Sequence, residues 1–365
     1  MIPEPHIEKP TLVLDVEKCK ANIAFMANKA AASNVIFRPH FKTHQSLEIG
    51  QWFKEQGVSK ITVSSLSMAT YFSSEWKDIT VAFPVNIREI TTINNLAKNI
   101  QLNLCLENIE AAEFLSKNLN SQVHIYLKID VGYHRTGIDP RSKDYIEKIM
   151  DVIDNSDKLT LMGFLGHAGH TYSCRSKEAV LSIQKESISV MHELKSAYYT
   201  RYPNLNISLG DTPGCSVAND FSGINEIRPG NFVFYDLVQE QIGSNRIDQI
   251  AVALACPIVA IHKQRNEIVV YGGGVHFAKD QLHTKEHGTI YGRVVEKDGT
   301  KWNGIVEGMF VKSLSQEHGI IAVPEEQIAK YKVGDYLLVL PVHSCMTANL
   351  MKEYLTTDGL KLPRF

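Results

Sequence analysis

The chain has 365 residues, 44% hydrophobic and 21% charged, enough for two cores and ordinary for a water-soluble globular protein. Its formal net charge of −2, with no basic or acidic block, argues against nucleic acid or a membrane surface as partner. Residues 1–6 contain no apolar signal core and no stretch approaches the length of a membrane span; the six cysteines lack any Cys-x-x-Cys pair, which predicts free thiols in a cytoplasmic protein.

In chain order, 9–15 is strand-like and is expected to pair into a later β-domain. Between about 35 and 235, short apolar β-rich runs alternate with helical patterns. The runs are 35–38, 60–64, 79–83, 102–106, 123–130, 161–166, 206–210 and 226–234. Helical spacing of apolar residues is clear at 47–56 and 143–155. Eight such units predict a (β/α)₈ barrel of the TIM type, and the absence of a Gly-x-Gly-x-x-Gly turn after the first run argues against a doubly wound sheet. Beyond about 240 the texture changes to strands at 250–260, 267–271, 289–295, 308–312 and 335–340, with turns at 297–299 and 332–335. The expected domains are therefore a barrel over 14–240 and a β-domain over 241–365 together with 1–13.

Polar residues gather where barrel strands end, the rim on which barrel active sites are built. The first run leads into Arg38-Pro39-His40-Phe41-Lys42-Thr43-His44. A lysine there is suited to carry a pyridoxal phosphate aldehyde as a Schiff base, or is simply a surface residue. The later ends read Lys128-Ile129-Asp130-Val131-Gly132-Tyr133-His134-Arg135-Thr136-Gly137, then Gly166-His167-Ala168-Gly169-His170-Thr171-Tyr172. The last two are Gly210-Asp211-Thr212-Pro213-Gly214 and Arg228-Pro229-Gly230-Asn231. Small residues and a threonine hydroxyl suit a phosphate seat near the last two strands, although each glycine alone also fits a turn.

Near the C-terminus, Pro341-Val342-His343-Ser344-Cys345 follows a strand. If this segment is extended, His343 and Cys345 point the same way and can share one ion. Imidazole with thiolate favours Zn²⁺, with water and substrate completing the coordination. His318, in Ser315-Gln316-Glu317-His318-Gly319, reaches this site or lies in a polar turn between strands. Gly272-Gly273-Gly274 marks a close backbone approach or a turn.

The lysine motif, Lys128-x-Asp130-x-Gly132-x-x-Arg135-x-Gly137 and Arg228-Pro229-Gly230 resemble the alanine-racemase-like, fold-type III pyridoxal phosphate enzymes, most closely the D-serine dehydratase and D-threonine aldolase branch. The resemblance spans about residues 10–355. It implies that Lys42 carries pyridoxal 5′-phosphate and that Arg228 hydrogen-bonds the pyridine nitrogen. It also implies that Thr212, Gly230 and Asn231 seat the phosphate, that Tyr172 lies near the cofactor, and that Arg135 lies near cofactor or substrate carboxylate. The His-x-Cys form is similar to that of zinc-dependent D-serine dehydratases, whereas His-x-Asp is similar to that of the aldolases. Val342 departs from the commoner Pro-Asn-His pattern. The implied activity is elimination of water from a D-3-hydroxyamino acid, D-serine or 3-hydroxy-D-aspartate, by a homodimer.

Three alternatives stand beside it. A retro-aldol lyase would use the same parts. A racemase would need a second base, for which Tyr271 and Tyr291 are candidates, but has no use for a metal pair. A non-enzymatic cofactor carrier would resemble the barrel alone and has no need of a second domain of this size.

Overall fold

The computed structural model describes residues 7–299 and 301–365. Residues 1–6, read above for a signal core, lie outside the described residues. The chain divides into two compact units, 24–230 and the described part of 1–23 with Asn231–Phe365. The division falls after Gly230 rather than near 240 because 231–240 bonds within the second unit: Ser344 N–H donates to Asp236 at 3.0 Å and Val238 N–H to the Val342 carbonyl at 3.2 Å.

The strand β1 (Thr11–Leu14) belongs to the second unit, as its sequence suggested, and pairs with two strands named below. The first unit is built on eight parallel strands: β2 (Ile36–Phe37), β3 (Lys60–Val63), β4 (Asp78–Pro84), β5 (Gln101–Leu106), β6 (Val123–Ile129), β7 (Leu159–Gly166), β8 (Asn206–Leu209) and β9 (Glu226–Ile227). Their order is β2-β9-β8-β7-β6-β5-β4-β3, and a parallel bridge between His40 and Thr62 joins the free edges of β2 and β3. The sheet therefore closes into the expected (β/α)₈ barrel.

Helices return the chain between strands, and several start on a side-chain cap. Ser65 accepts from Met68 N–H, Asn108 from Ala111 N–H and Ser176 from Ala179 N–H, each satisfying an N–H that the helix leaves unpaired. The helical patterns at 47–56 and 143–155 are found as Leu47–Lys54 and Lys143–Asp154.

The barrel strands alternate, but with polar residues at positions that are also buried. Thr62, Thr80, Asn103, Ser208 and Glu226 are at most 2% exposed. Their apolar neighbours Ile61, Val63, Ile79, Val81, Leu102, Leu104, Ile207 and Leu209 are buried too. In a strand, successive side chains take opposite faces. One set packs under the helices and the other fills the barrel, where Ser208 Oγ donates to Glu226 and Asn103 Nδ2 to Asp78.

The eighth run was expected to be a strand through 234, but pairing stops at Ile227. Pro229 has no N–H for a ladder, and Asn231–Val233 turns as a 3₁₀ segment.

The second unit contains β10 (Val252–His262), β11 (Glu267–Tyr271), β12 (Leu282–Thr284), β13 (Gly288–Ile290), β14 (Gly292–Asp298), β15 (Lys301–Leu314), β16 (His318–Ala322), β17 (Tyr336–Pro341), β18 (Glu353–Thr356) and β19 (Lys361–Pro363). The large sheet runs β11-β16-β15-β14-β17-β10-β1-β18-β19, and a β10–β11 pairing closes its first six strands on themselves. The run expected at 289–295 is two strands, since β13 pairs with β12 and β14 with β15 and β17. His318, expected in a turn or at the site, is exposed and opens β16 opposite Tyr271. The three glycines at 272–274 are a close approach: a Cβ on Gly273 would lie 2.3 Å from the Gln316 carbonyl oxygen.

Candidate active site

In the barrel unit, Lys42, Arg135, Tyr172, Thr212, Arg228 and Gly230 all follow the C-terminal ends of strands, on one rim. Lys42 sits in the turn after β2 with its side chain exposed. That turn is fixed on two sides. Phe41 N–H donates to the Thr62 carbonyl at 2.8 Å, and His40 N–H to the Pro229 carbonyl at 2.8 Å. Gly230 lies so close behind it that a Cβ would come within 2.9 Å of the His40 carbonyl oxygen.

The Lys128–Gly137 loop folds back on its own strand. Asp130 N–H donates to the Ile138 carbonyl at 3.0 Å, and Ile138 N–H to the Lys128 carbonyl at 2.8 Å. Gly137, at φ +111°, could not carry a side chain here, since a Cβ would lie 2.5 Å from Asp130 N. Asp130 Oδ1 accepts from the N–H groups of Gly132 and His134, both at 3.0 Å, so this acid shapes the loop. Arg135 is exposed, with its guanidinium 4.9 Å from the Tyr133 ring centroid.

Thr212 begins the short helix Thr212–Val217, and its hydroxyl accepts from Gly230 N–H at 3.3 Å. The cap before it, Asp211, is buried and accepts from Gly214 N–H at 2.6 Å and Thr171 Oγ1 at 2.8 Å. Burial outweighs these bonds and pushes its carboxyl up to about 6. Tyr172 is half-buried in the 3₁₀ turn Gly169–Ser173.

Arg228 is 5% exposed, and its Nη2 donates to the Gly166 carbonyl at 2.6 Å, while Nη1 donates to Ser208 Oγ. The rim is strongly cationic. Burial, then the nearby charges of Lys42, Arg228 and Lys128, hold His40 well below its usual range. Burial likewise holds His167 down, again with Lys42, Lys128 and Arg135 near it; its Nδ1 bonds the Gly210 carbonyl at 2.8 Å. Lys128, 4% exposed, is lowered to about 8 by burial first, with Arg228 and Arg135 adding repulsion. No hydrogen-bonded carboxylate faces its ammonium among the described residues.

This is an arrangement that binds anions. A rim with a lysine, two arginines, neutral imidazoles and a glycine-lined seat fits a phosphorylated aldehyde such as pyridoxal phosphate.

In the second unit the metal motif differs from the expected extended segment. His343 is extended, at φ −131° and ψ 100°, but Ser344–Leu350 is a helix, so the strand-to-helix turn and not strand alternation brings the pair together. The two side chains are in hydrogen-bond contact. His343 Nδ1 also bonds Asp280 Oδ1 at 3.2 Å. Burial would lower this imidazole, but the contacts with Asp280 and Cys345 raise it to about 11.

The Asn231 amide nitrogen donates to Asp236 Oδ2 at 2.6 Å, Ser344 Oγ at 3.2 Å and Cys345 Sγ at 3.4 Å. Its side-chain donors are therefore committed to the metal motif rather than to a phosphate.

Five of the six cysteines are buried and Cys345 is the partly exposed one. Among the described residues no group of three or more His, Cys, Asp or Glu converges in ligand geometry. The donor set present, one imidazole and one thiol, fits a zinc ion that takes its remaining ligands from water or substrate. Asp280 and Asp236 carried no signal in the sequence, because each acts only through a partner distant along the chain.

A closed (β/α)₈ barrel with a cationic rim, followed by an antiparallel β-domain, defines an alanine-racemase-like protein. Residues 14–237 match the alanine racemase N-terminal domain family, and 251–357 match the serine dehydratase domain family. The chain is 32% identical to the D-serine dehydratase of Dictyostelium discoideum, over 94% of this chain and 91% of that one. It is 26% identical to the D-threo-3-hydroxyaspartate dehydratase of Delftia sp. (strain HT23), over 97% and 95%. The solved structure of the D-threo-3-hydroxyaspartate dehydratase from Delftia sp. HT23 superposes with a TM-score of 0.91 at 24% identity, covering 98% of each chain. Aldolases among its relatives are more distant. The chain belongs to the D-serine dehydratase and D-threonine aldolase family of alanine-racemase-like proteins, a pyridoxal phosphate-dependent family. No helix among the described residues is long and apolar enough to cross a membrane.

Proposed function

We propose that this protein is a pyridoxal phosphate- and zinc-dependent lyase that eliminates water from a D-3-hydroxyamino acid, converting D-serine to pyruvate and ammonia. The observation that carries this is the His343–Cys345 pair, with a thiol where a carboxylate would suit a harder metal, in a chain whose D-serine dehydratase relative covers nearly its full length.

Lys42 would hold the cofactor, which when bound would supply an electron sink for reaction at the substrate α-carbon. Thr212 and Gly230 would seat its phosphate. Arg228 would donate to the ring nitrogen and, being a guanidinium, would not hand over a proton. Lys42 Nζ would serve as the general base for the α-proton. Arg135 would lie near the cofactor or the substrate carboxylate, and Tyr172 near the cofactor. His343 and Cys345 would hold zinc, which would supply Lewis acidity toward a hydroxyl leaving group. 3-Hydroxy-D-aspartate is the second substrate to weigh, supported by the Delftia relative. A homodimer in the cytoplasm completes the proposal, the latter supported by the free thiols.

The test is pyruvate formation from D-serine by purified protein with pyridoxal phosphate and zinc, compared with Cys345→Ala and with chelated protein. Pyruvate from the wild type alone supports the reading. Glycine and acetaldehyde from D-threonine, without pyruvate from D-serine, overturns it in favour of a retro-aldol lyase.

A further inference from the structure

A line of charge runs through barrel residues to which the chemistry above, Arg228 apart, gives no role. It starts at Arg228, whose Nη1 donates to Ser208 Oγ. The Ser208 hydroxyl donates in turn to Glu226 Oε1 at 2.5 Å, so its hydrogen is committed and its lone pairs face the guanidinium. The other oxygen of Glu226 accepts from Arg38 Nε at 2.8 Å, and Arg38 Nη1 donates to Asp78 Oδ1 at 2.7 Å. Asp78 is held by Asn103 Nδ2 at 2.8 Å and Lys60 Nζ at 3.2 Å. Arg228, Ser208, Glu226 and Arg38 are all at most 5% exposed.

We propose that Ser208, Glu226 and Arg38 are positioning residues for Arg228, a buried line of alternating charge that fixes its guanidinium as the donor to the cofactor's ring nitrogen. This rests on the functional reading above, which gives Arg228 that partner.

Two observations favour positioning over mere packing. Buried ion pairs seldom stabilise a fold better than apolar residues of the same volume. Three buried charges, Arg228, Glu226 and Arg38, are therefore not explained by packing alone. The second is the geometry at Arg228. Two of its nitrogens are each tied to one acceptor, Gly166 and Ser208, on neighbouring strands β7 and β8, which leaves one orientation of the guanidinium plane. Burial alone would lower the arginine's proton affinity, and Glu226 is the leading group that opposes it. The line therefore holds both the direction and the charge of the donor.

The experiment reconstitutes the full-length protein with pyridoxal phosphate and records the visible circular dichroism of the bound cofactor beside D-serine turnover. Variants are Ser208→Ala, Ser208→Thr, Glu226→Gln and Lys42→Ala. Ser208→Ala should bind cofactor and stay folded at the assay temperature, with a lower melting temperature because two buried groups lose their shared partner. Its visible band should move or fall to about half, and kcat should drop about tenfold with KM little changed, the loss expected of one charge-assisted bond. Ser208→Thr, which keeps the hydroxyl, should restore both. Glu226→Gln should move the band in the same direction.

A wild-type band and kcat in Ser208→Ala overturns the proposal. So does an unmoved band in Glu226→Gln, which would leave the charge line without effect. Lys42→Ala separates the two levels. Unchanged cofactor spectra in that variant would refute the functional reading itself, whereas loss of the spectrum there with an unmoved Ser208→Ala band would refute only the positioning role.

Discussion

Replacing Gly230 by alanine tests whether the turn that carries Lys42 is held as tightly as its geometry implies. The new Cβ would sit 2.9 Å from the His40 carbonyl oxygen and 3.0 Å from His40 Cβ. Ordinary contact begins near 3.4 Å, so the two loops must part by about 0.5 Å (3.4 − 2.9). The obstructing atom is backbone and cannot rotate aside. Nor can the loops part freely, because His40 N–H is bonded to the Pro229 carbonyl at 2.8 Å, one residue before the substitution. Overpacking of this kind costs about 1–3 kcal/mol. At about 2–4 °C per kcal/mol for a unit of this size, the melting temperature should fall by about 2–12 °C. Lys42 lies two residues from His40 and must shift with it; a displacement of about half an ångström in a catalytic group should cost roughly tenfold in turnover. The assays are thermal denaturation and D-serine turnover, with Gly304→Ala as control, since nothing lies within 4 Å of a Cβ there. A Gly230→Ala protein that melts and turns over like the wild type would refute the reasoning.

Three further outcomes follow from the electrostatics and the metal motif. Asp280→Ala removes the acceptor at His343 Nδ1 and should weaken zinc retention about tenfold in competition with a chelator; unchanged affinity would show that the carboxylate does not orient the imidazole. Lys128 has its pKa lowered from 10.5 to about 8, so the folded protein binds fewer protons than the unfolded one between those values and stability rises across that window. Lys128→Met should therefore raise the melting temperature of the cofactor-free protein at pH 7, by up to about 3 kcal/mol of stability; a lower melting temperature would mean that the charge is compensated. Asp211 is shifted the other way for an acid, from 3.8 to about 6, so its protonated form favours the fold and stability is lost as pH rises between those values. Asp211→Asn should flatten that part of the stability-against-pH curve, measured by denaturant titration, and an unaltered slope would remove the assignment.

The sequence by itself determined the barrel, because eight apolar β-rich runs alternating with helical spacing admit few other closed arrangements. It also singled out Lys42 and the rim motifs, since strand ends and glycines leave local marks. What it left open is which face of each strand looks inward. In β6, Val123-His124-Ile125-Tyr126-Leu127-Lys128-Ile129, alternation was visible, but a strand between helices and a barrel interior buries both faces, so polarity does not reveal the side. Closure of the barrel put Ser208, Glu226, Arg38 and Asp78 in one interior, although the bonded pairs stand 18 to 188 residues apart.

The same holds for the second unit. His343 and Cys345 were legible as a pair, but the turn that joins them is a strand-to-helix junction held by Asp236, Asn231 and Asp280, residues 63 to 114 positions away. Spacing along a chain records local geometry. Partners chosen by burial and hydrogen-bond satisfaction across the fold leave no such record, and only the tertiary structure decides them.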